Sequence, residues 1–336
     1  MYSTMTKTPA TGQFLFNDAL INETVNKTNH ETRPAGNDFD NVINMVKPGK
    51  NGRANAINGI LSKRAEEWSV AGQNPGLMHK QSAIWDFLLD HYFRFEMTGW
   101  ERLPSQASML IGVHSGTWLT MDAWTLCAQW WRKYKGQRIL HGTAHDVLMA
   151  LPGLGKYFRD VGVIPAKRAS VSAAFAAGHD VVIWPGGEVD AMRSWSKRHD
   201  VVLGGRKGFI RQAIRSGVPI VPVATVGGHD TVFVLSECRK LAKMLRLKKL
   251  LRTEIAPLIL GFPFGITLEA FPMHIPLPAK IRTEILEPIE IDTDPEREND
   301  NGYVDKKYKE VECAIQEGVN RLARLSKKTF FGSLFV

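Results

Sequence analysis

Between residues 108 and 225, short apolar runs alternate with stretches of helical length, and this alternation restricts the fold more than any other feature of the chain. The runs at 108–113, 138–141, 161–165, 180–185 and 218–225 have the length and bounding turn residues of core strands. The stretches at 119–134, 170–177 and 207–216 have helical character, and the last two stop at Gly178 and Gly217. Glycine ends helices in this way because it accepts the left-handed backbone that closes a final turn. Strands joined through helices run parallel and need cover on both faces. The expected fold is therefore α/β, a mixed, largely parallel sheet flanked by helices on both faces.

Outside this region the chain changes character. Residues 1–52 are rich in Asn, Thr, Asp, Gly and Lys, a composition that buries too little apolar surface to fold alone, and they are expected to form a disordered leader. A helical segment is expected over 53–100. Within it, 57–70 forms a short helix, Asn74-Pro75-Gly76 breaks the chain before a stronger helix, and that helix, 82–95, carries a wide aromatic stripe of the kind that usually packs on the core, with a membrane-facing role as the alternative. Residues 101–336 then make the main domain. Beyond the alternating region, 262–291 reads as extended, proline-punctuated segments and 303–325 as an amphipathic helix.

With 336 residues, 44% of them hydrophobic, the chain can bury a large core. Its cysteines, Cys127, Cys238 and Cys313, are widely spaced and in no metal-ligand pattern, which argues against a disulfide framework or a zinc site and for a reducing compartment. The N-terminus lacks the basic and apolar regions of a secretory signal. The longest apolar segments, such as 256–266, are about half of the ~20 residues a membrane span requires. Cytoplasmic residence without a spanning helix is the expectation. The formal net charge of +9 favours anionic partners: nucleic acid, lipid headgroups or phosphorylated cofactors. Its densest cluster lies between Arg239 and Arg252, where seven Lys/Arg residues accompany Leu241, Met244, Leu245 and Leu251. Such a basic amphipathic helix can lie in an anionic membrane interface, at roughly 1 kcal/mol per basic residue. An ordinary helix with its leucines on the core has the same pattern.

The chemistry concentrates in Met109-Leu-Ile-Gly-Val-His114-Ser-Gly-Thr-Trp-Leu-Thr-Met-Asp122. An apolar run delivers a histidine to the carboxyl end of a strand, where open α/β sheets place their ligand crevices. His114 is a candidate general base and Asp122 the acid that orients it; a strand-capping histidine and an outward-facing helix aspartate would look the same. His141-Gly-Thr-Ala-His145-Asp146 offers His145 as a rival base, and the spacing of His141 and His145 raises a metal site that Gly142 argues against. No Gly-x-Ser-x-Gly nucleophile elbow is present, which disfavours a hydrolase working through Ser115.

Four blocks in one order resemble the glycerolipid acyltransferase superfamily, the lysophosphatidate acyltransferase-like and diacylglycerol acyltransferase-like enzymes. They are the strand leading to His114, Gly162-Val-Ile-Pro-Ala-Lys-Arg168, Trp184-Pro-Gly-Gly-Glu188 and Val218-Pro-Ile-Val-Pro-Val223. The resemblance implies a glycerol-phosphate acyltransferase-like fold and transfer of a fatty acyl group from acyl-CoA or an acyl carrier protein to a lipid hydroxyl. The acceptor would be a lysophospholipid, a diacylglycerol or a related lipid, at the membrane surface and as part of lipid or phospholipid biosynthesis. It implies His114 as base and Asp122 as its partner, with Arg168, Gly186, Gly187 and Glu188 binding substrate. Neither metal nor cofactor is implied, the thioester being a co-substrate, and no nucleic acid partner. Arg168 offers a planar charged fork suited to phosphate, whereas Lys167 is a point charge. The glycines permit positive φ and close approach to backbone amides. One feature departs from the family, whose acid follows the histidine by five positions. Here that position is Leu119, and Asp122 lies eight after His114. A longer loop can return the carboxylate to the imidazole; otherwise Asp146 or Glu188 is the substitute. The alternative is a catalytically degenerate lipid-binding protein on the same scaffold.

Overall fold

The computed structural model describes residue 64 and residues 66–245, 254–269 and 274–332, with side chains for all of these except 147 and 327–332. In chain order the elements are α1 (Pro75–Phe87), β1 (Glu96–Thr98), β2 (Met109–Ile111), α2 (Met121–Tyr134), β3 (Leu140–Ala144), α3 (Asp146–Ala150), α4 (Leu154–Asp160) and β4 (Ile164–Pro165). There follow α5 (Arg168–Ala176), β5 (Asp180–Ile183), α6 (Gly187–Ala191), α7 (Gly208–Ser216), β6 (Ile220–Val226), β7 (Phe233–Ser236), α8 (Arg239–Met244), β8 (Leu258–Gly261), β9 (Gly265–Leu268), β10 (Arg282–Ile285) and α9 (Asn301–Gly332). The leader expected over 1–52, most of the 57–70 helix and the second half of the 239–252 helix lie outside the described residues.

Seven strands form one sheet in the order β1-β10-β6-β2-β5-β3-β4. The pairs β6/β2, β2/β5, β5/β3 and β3/β4 are parallel, β10 runs antiparallel to β6, and β1 is parallel to β10. The sheet is thus mixed and largely parallel, as the alternation requires. Successive residues of each strand face opposite layers. Met109, Ile111, Val181 and Ile220 pack with Val171 and Phe175 of α5, Phe209 and Ile214 of α7 and Val311 and Ile315 of α9. Leu110, Val182 and Val221 face the other way, onto Leu126 and Trp130 of α2. Helices therefore cover both faces, and the described residues lie within one compact unit, Val42–Val336.

The break expected at Asn74-Pro75-Gly76 precedes a helix, but that helix, α1, starts within the motif at Pro75 and not at 82. The Asn74 side chain accepts the Leu77 N–H at 3.2 Å, and Pro75 takes the first helical position, where its missing N–H costs nothing. The helix passes into a π turn over Leu88–Tyr92. Of the aromatic stripe, Phe93 and Phe95 are buried with Leu89 and Trp85 stacks on Trp124, but Ile84 faces solvent. The 262–291 region is more ordered than its prolines suggest. It supplies β10 to the main sheet and β9 to a separate antiparallel sheet, β7-β8-β9.

Candidate active site

Because β2 to β6 are parallel, the residues that follow them gather at one end of the sheet: His114 after β2, Asp146 after β3, Arg168 after β4, Gly186 to Glu188 after β5 and His229 after β6. At ~4.8 Å between neighbouring strands, the β5 turn lies beside His114, whereas β4, three strands from β2 in the sheet order, brings Arg168 to the edge ~14 Å away.

The eight-residue step to Asp122 closes. After Ser115 the chain turns through Gly116 at φ 82°, a 3-10 turn over Thr117–Leu119 and Thr120 at φ 34°, and enters α2 at Met121. Asp122 Oδ2 lies 3.1 Å from His114 Nδ1, and Oδ1 accepts the Ser115 N–H at 2.8 Å and the Ser115 hydroxyl at 3.1 Å. The acid sits in the first turn of a helix, where the dipole favours negative charge. Thr117 at φ 55° and Thr120 hold the left-handed region without being glycine, so the loop stores backbone strain. Gly116 is required here, since a Cβ would stand 3.0 Å from Thr231 Oγ1 and 3.1 Å from the Gly228 carbonyl. An ionised carboxylate only accepts, so its contact assigns the His114 proton to Nδ1 and leaves the Nε2 lone pair open. The ring is 18% exposed while Asp122 is 1% exposed. A base that can reach substrate, backed by an acid that water cannot reach, suits proton abstraction from a hydroxyl.

Around this pair stand residues that sequence reasoning did not single out. The Trp184 indole stacks on the imidazole with centroids 4.8 Å apart and planes 8° apart, and Gly112 makes room for it, since a Cβ there would lie 2.8 Å from the indole nitrogen. An aromatic face over the ring favours the imidazolium that a general base becomes. Asp190, fully buried, accepts the His114 backbone N–H and pairs with Arg193, which in turn donates to the His114 carbonyl at 3.2 Å. Burial pushes the Asp190 carboxyl up to about 6 against the opposing pull of Arg193. His229 is buried beside this clasp, its ring nitrogens without partners among the described residues, and burial, aided by Arg193, His199 and Arg198, drives its pKa far down. Trp184 could have been noticed from the quoted block; the Asp190–Arg193 clasp joins positions too distant in sequence to be read from it.

The remaining candidates are placed as follows. Gly186 sits at φ −65°, so its need is steric, a Cβ falling 2.0 Å from the Val202 carbonyl. Gly187 alone of the two has positive φ, 56°, and begins α6; its N–H donates to the Trp184 carbonyl at 3.3 Å. Arg206 spans this turn, donating to the Pro185 carbonyl at 2.8 Å and to Glu188 at 3.4 Å. Arg168 opens α5 and is half-buried, and Lys167 pairs with Asp146 at 3.1 Å. Asp146 and Glu188, the substitute acids, thus have partners other than His114. His145 is exposed. His141 is buried in β3, its Nδ1 on the Gly162 carbonyl at 2.7 Å and its Nε2 on His179 at 3.1 Å, and His145 follows in extended chain ~13 Å along. That separation excludes a shared metal ion. Ser115 is committed to Asp122.

The family model described as "Diacylglycerol acyltransferase" matches residues 71–335. An uncharacterized protein of Mycobacterium tuberculosis is 27% identical over 248 residues, 73% of this chain and 66% of that protein. The Gallus gallus "DGAT1/2-independent enzyme synthesizing storage lipids" is 27% identical over 209 residues, covering 62% of this chain and 56% of that one. Human "Diacylglycerol O-acyltransferase 2" is 24% identical over 155 residues, 44% of this chain and 39% of that enzyme. The chain thus spans less than two thirds of the length of these curated relatives. The crystal structure of the 1-acyl-sn-glycerophosphate acyltransferase PlsC of Thermotoga maritima covers 80% of the chain at 16% identity, with a TM-score of 0.42.

Proposed function

The chain belongs to the diacylglycerol acyltransferase family, and from that membership we propose that it transfers a fatty acyl group from an acyl-CoA or acyl carrier protein thioester to the hydroxyl of a diacylglycerol, lysophospholipid or related lipid. The observation that carries this reading is the His114 Nδ1 to Asp122 Oδ2 contact of 3.1 Å, made by a partly exposed ring to a buried carboxylate. His114 Nε2 takes the hydroxyl proton as the oxygen attacks the thioester carbonyl; the tetrahedral intermediate collapses, the carbon–sulfur bond breaks, and the leaving thiolate recovers the proton from the imidazolium. Asp122 and the stacked Trp184 stabilise that imidazolium. Arg168 at the sheet edge and the Gly186-Gly187-Glu188 turn position the acceptor, with Arg206 shaping the turn. A thioester is already activated, so orientation and one proton shuttle suffice.

The test is acyl transfer by the purified chain with radiolabelled acyl-CoA against a panel of lysolipids and diacylglycerol. Wild-type turnover is expected, with His114→Ala lowering it by ~10²- to 10⁴-fold and leaving the melting temperature near wild type. A His114→Ala chain that keeps turnover removes His114 from the chemistry.

A further inference from the structure

The β7-β8-β9 sheet covers its inner face and leaves its outer face open. Ile259 is buried against Val232 and Val234, whereas its strand neighbour Leu260 points outward. Leu260 pairs across the sheet with Ile266, and Leu258 with Leu268, so the outward side chains of β8 and β9 share one face. The turn between the strands adds Phe262 and Phe264, and Ile275 is bridged to Phe262. Phe262 is 58%, Phe264 60% and Ile266 64% exposed, with Leu260, Leu268 and Ile275 all above 40%. Soluble monomers rarely leave a contiguous apolar face of this kind uncovered.

We propose that this sheet face docks on the surface of an anionic lipid bilayer and brings the active-site loop to the lipid. Two observations favour a bilayer over another occupant. First, positive charge flanks the apolar face at the end away from the Phe262–Phe264 turn: Ser236 at the end of β7 pairs with Leu258, α8 starts three residues later, and its Lys240 and Lys243 are exposed next to Met244 at 71% and Leu245 at 52%. An apolar wedge with basic neighbours matches the two-part chemistry of an interface, acyl chains below anionic headgroups. Second, the sheet touches the catalytic loop. Directly after β9, the Glu269 carbonyl accepts from Trp118 Nε1 at 3.4 Å, four residues beyond His114, and the Glu269 side chain is tied to His274 in the buried base of the hairpin. The choice of lipid rests in part on the acyltransferase reading; the exposed face does not.

The test floats the full-length chain with phosphatidylcholine vesicles containing phosphatidylglycerol. Wild type is expected in the lipid fraction, and a variant with Phe262→Ser, Phe264→Ser and Ile266→Ser in the unbound fraction, its partition lowered on the order of a hundredfold. The same three positions changed to Leu are expected to bind as wild type does, which separates loss of the apolar face from loss of the fold. Wild type that stays unbound, or a serine variant that floats equally well, overturns the proposal. So does light scattering showing a wild-type dimer that the serine changes split without any vesicle binding, for then the face joins two copies of the chain. Flotation that depends on these residues, in a chain that acylates no acceptor, leaves the docking face standing and removes the acyltransferase reading. Acylation of a short-chain diacylglycerol in solution without flotation does the reverse.

Discussion

His114 is fixed twice over, its backbone by Asp190 and Arg193 and its ring by Asp122 and Trp184. The two supports do different work, since the clasp decides where the ring stands and Asp122 decides which nitrogen carries the proton. Asp122→Asn retains the size of the side chain but removes the charge that steadies the imidazolium. A drop in kcat of about a hundredfold or more is expected with KM little changed, because a tautomer defect acts on the chemical step and not on binding; an equal rise in KM with kcat intact would place Asp122 in substrate binding instead. His114 and Asp122 were legible in the sequence because a strand end and a nearby acid are local features. The spacing of eight looked like a defect until the left-handed residues Gly116, Thr117 and Thr120 coiled the extra length. Asp190 was not legible, since only the pairing of β2 with β5 brings position 190 beneath position 114.

At the level of elements, the apolar runs announced the five parallel strands because each is buried on both faces and needs no polar alternation. The small β7-β8-β9 sheet did not announce itself, since its prolines and its apolar outer face break the usual in–out pattern of a half-exposed sheet. Asn74-Pro75-Gly76 marked a break but hid the helix start it contains, because the same residues break a helix from inside and start one from its edge. Two element contacts carry predictions. Gly318 lies in the middle of α9, where alanine would ordinarily add helix stability of up to about 1 kcal/mol. A Cβ there would lie 2.6 Å from the Ala224 Cβ of β6, whose backbone cannot yield. Gly318→Ala is therefore expected to destabilise by about 1–3 kcal/mol, measured by urea unfolding; a gain would mean that α9 shifts freely on the sheet. The second contact is His141 between β3 and the loop before β4. Burial lowers its pKa from 6.5 to about 4, against the Gly162 hydrogen bond that raises it, so the folded chain refuses a proton that the unfolded chain accepts. The unfolded state then binds more protons across this window, and stability falls as pH drops from about 6.5 to about 4, by up to about 3 kcal/mol from this group. Asp180 nearby is raised by burial and acts in the opposite direction, and His179 is lowered by burial and acts in the same direction. Comparing wild type with His141→Asn over the pH series isolates the histidine: the variant is expected to lose less stability on acidification, and parallel curves would remove His141 as the cause.

Over the whole molecule, a net charge of +9 and an uncovered apolar sheet face answer to different solution variables. Attraction between basic side chains and anionic headgroups is screened over a Debye length of about 10 Å at 0.1 M salt and about 3 Å at 1 M. Burial of Phe262, Phe264 and Ile266 in the acyl region is not screened at all, because it depends on apolar area removed from water. If both forces attach the chain to a bilayer, its affinity for phosphatidylglycerol-containing vesicles should fall with added salt and then level off, whereas affinity for pure phosphatidylcholine vesicles should be salt-independent from the start. At roughly 1 kcal/mol per basic residue near the surface, Lys240 and Lys243 together account for a salt-sensitive portion of about tenfold to thirtyfold. Changing both to Gln should remove that portion and leave the plateau; changing the three hairpin residues to Ser should remove the plateau and leave weak, fully salt-sensitive binding. Binding that vanishes entirely at high salt in the wild type would mean that charge alone holds the protein to the membrane and that the sheet face meets something other than lipid.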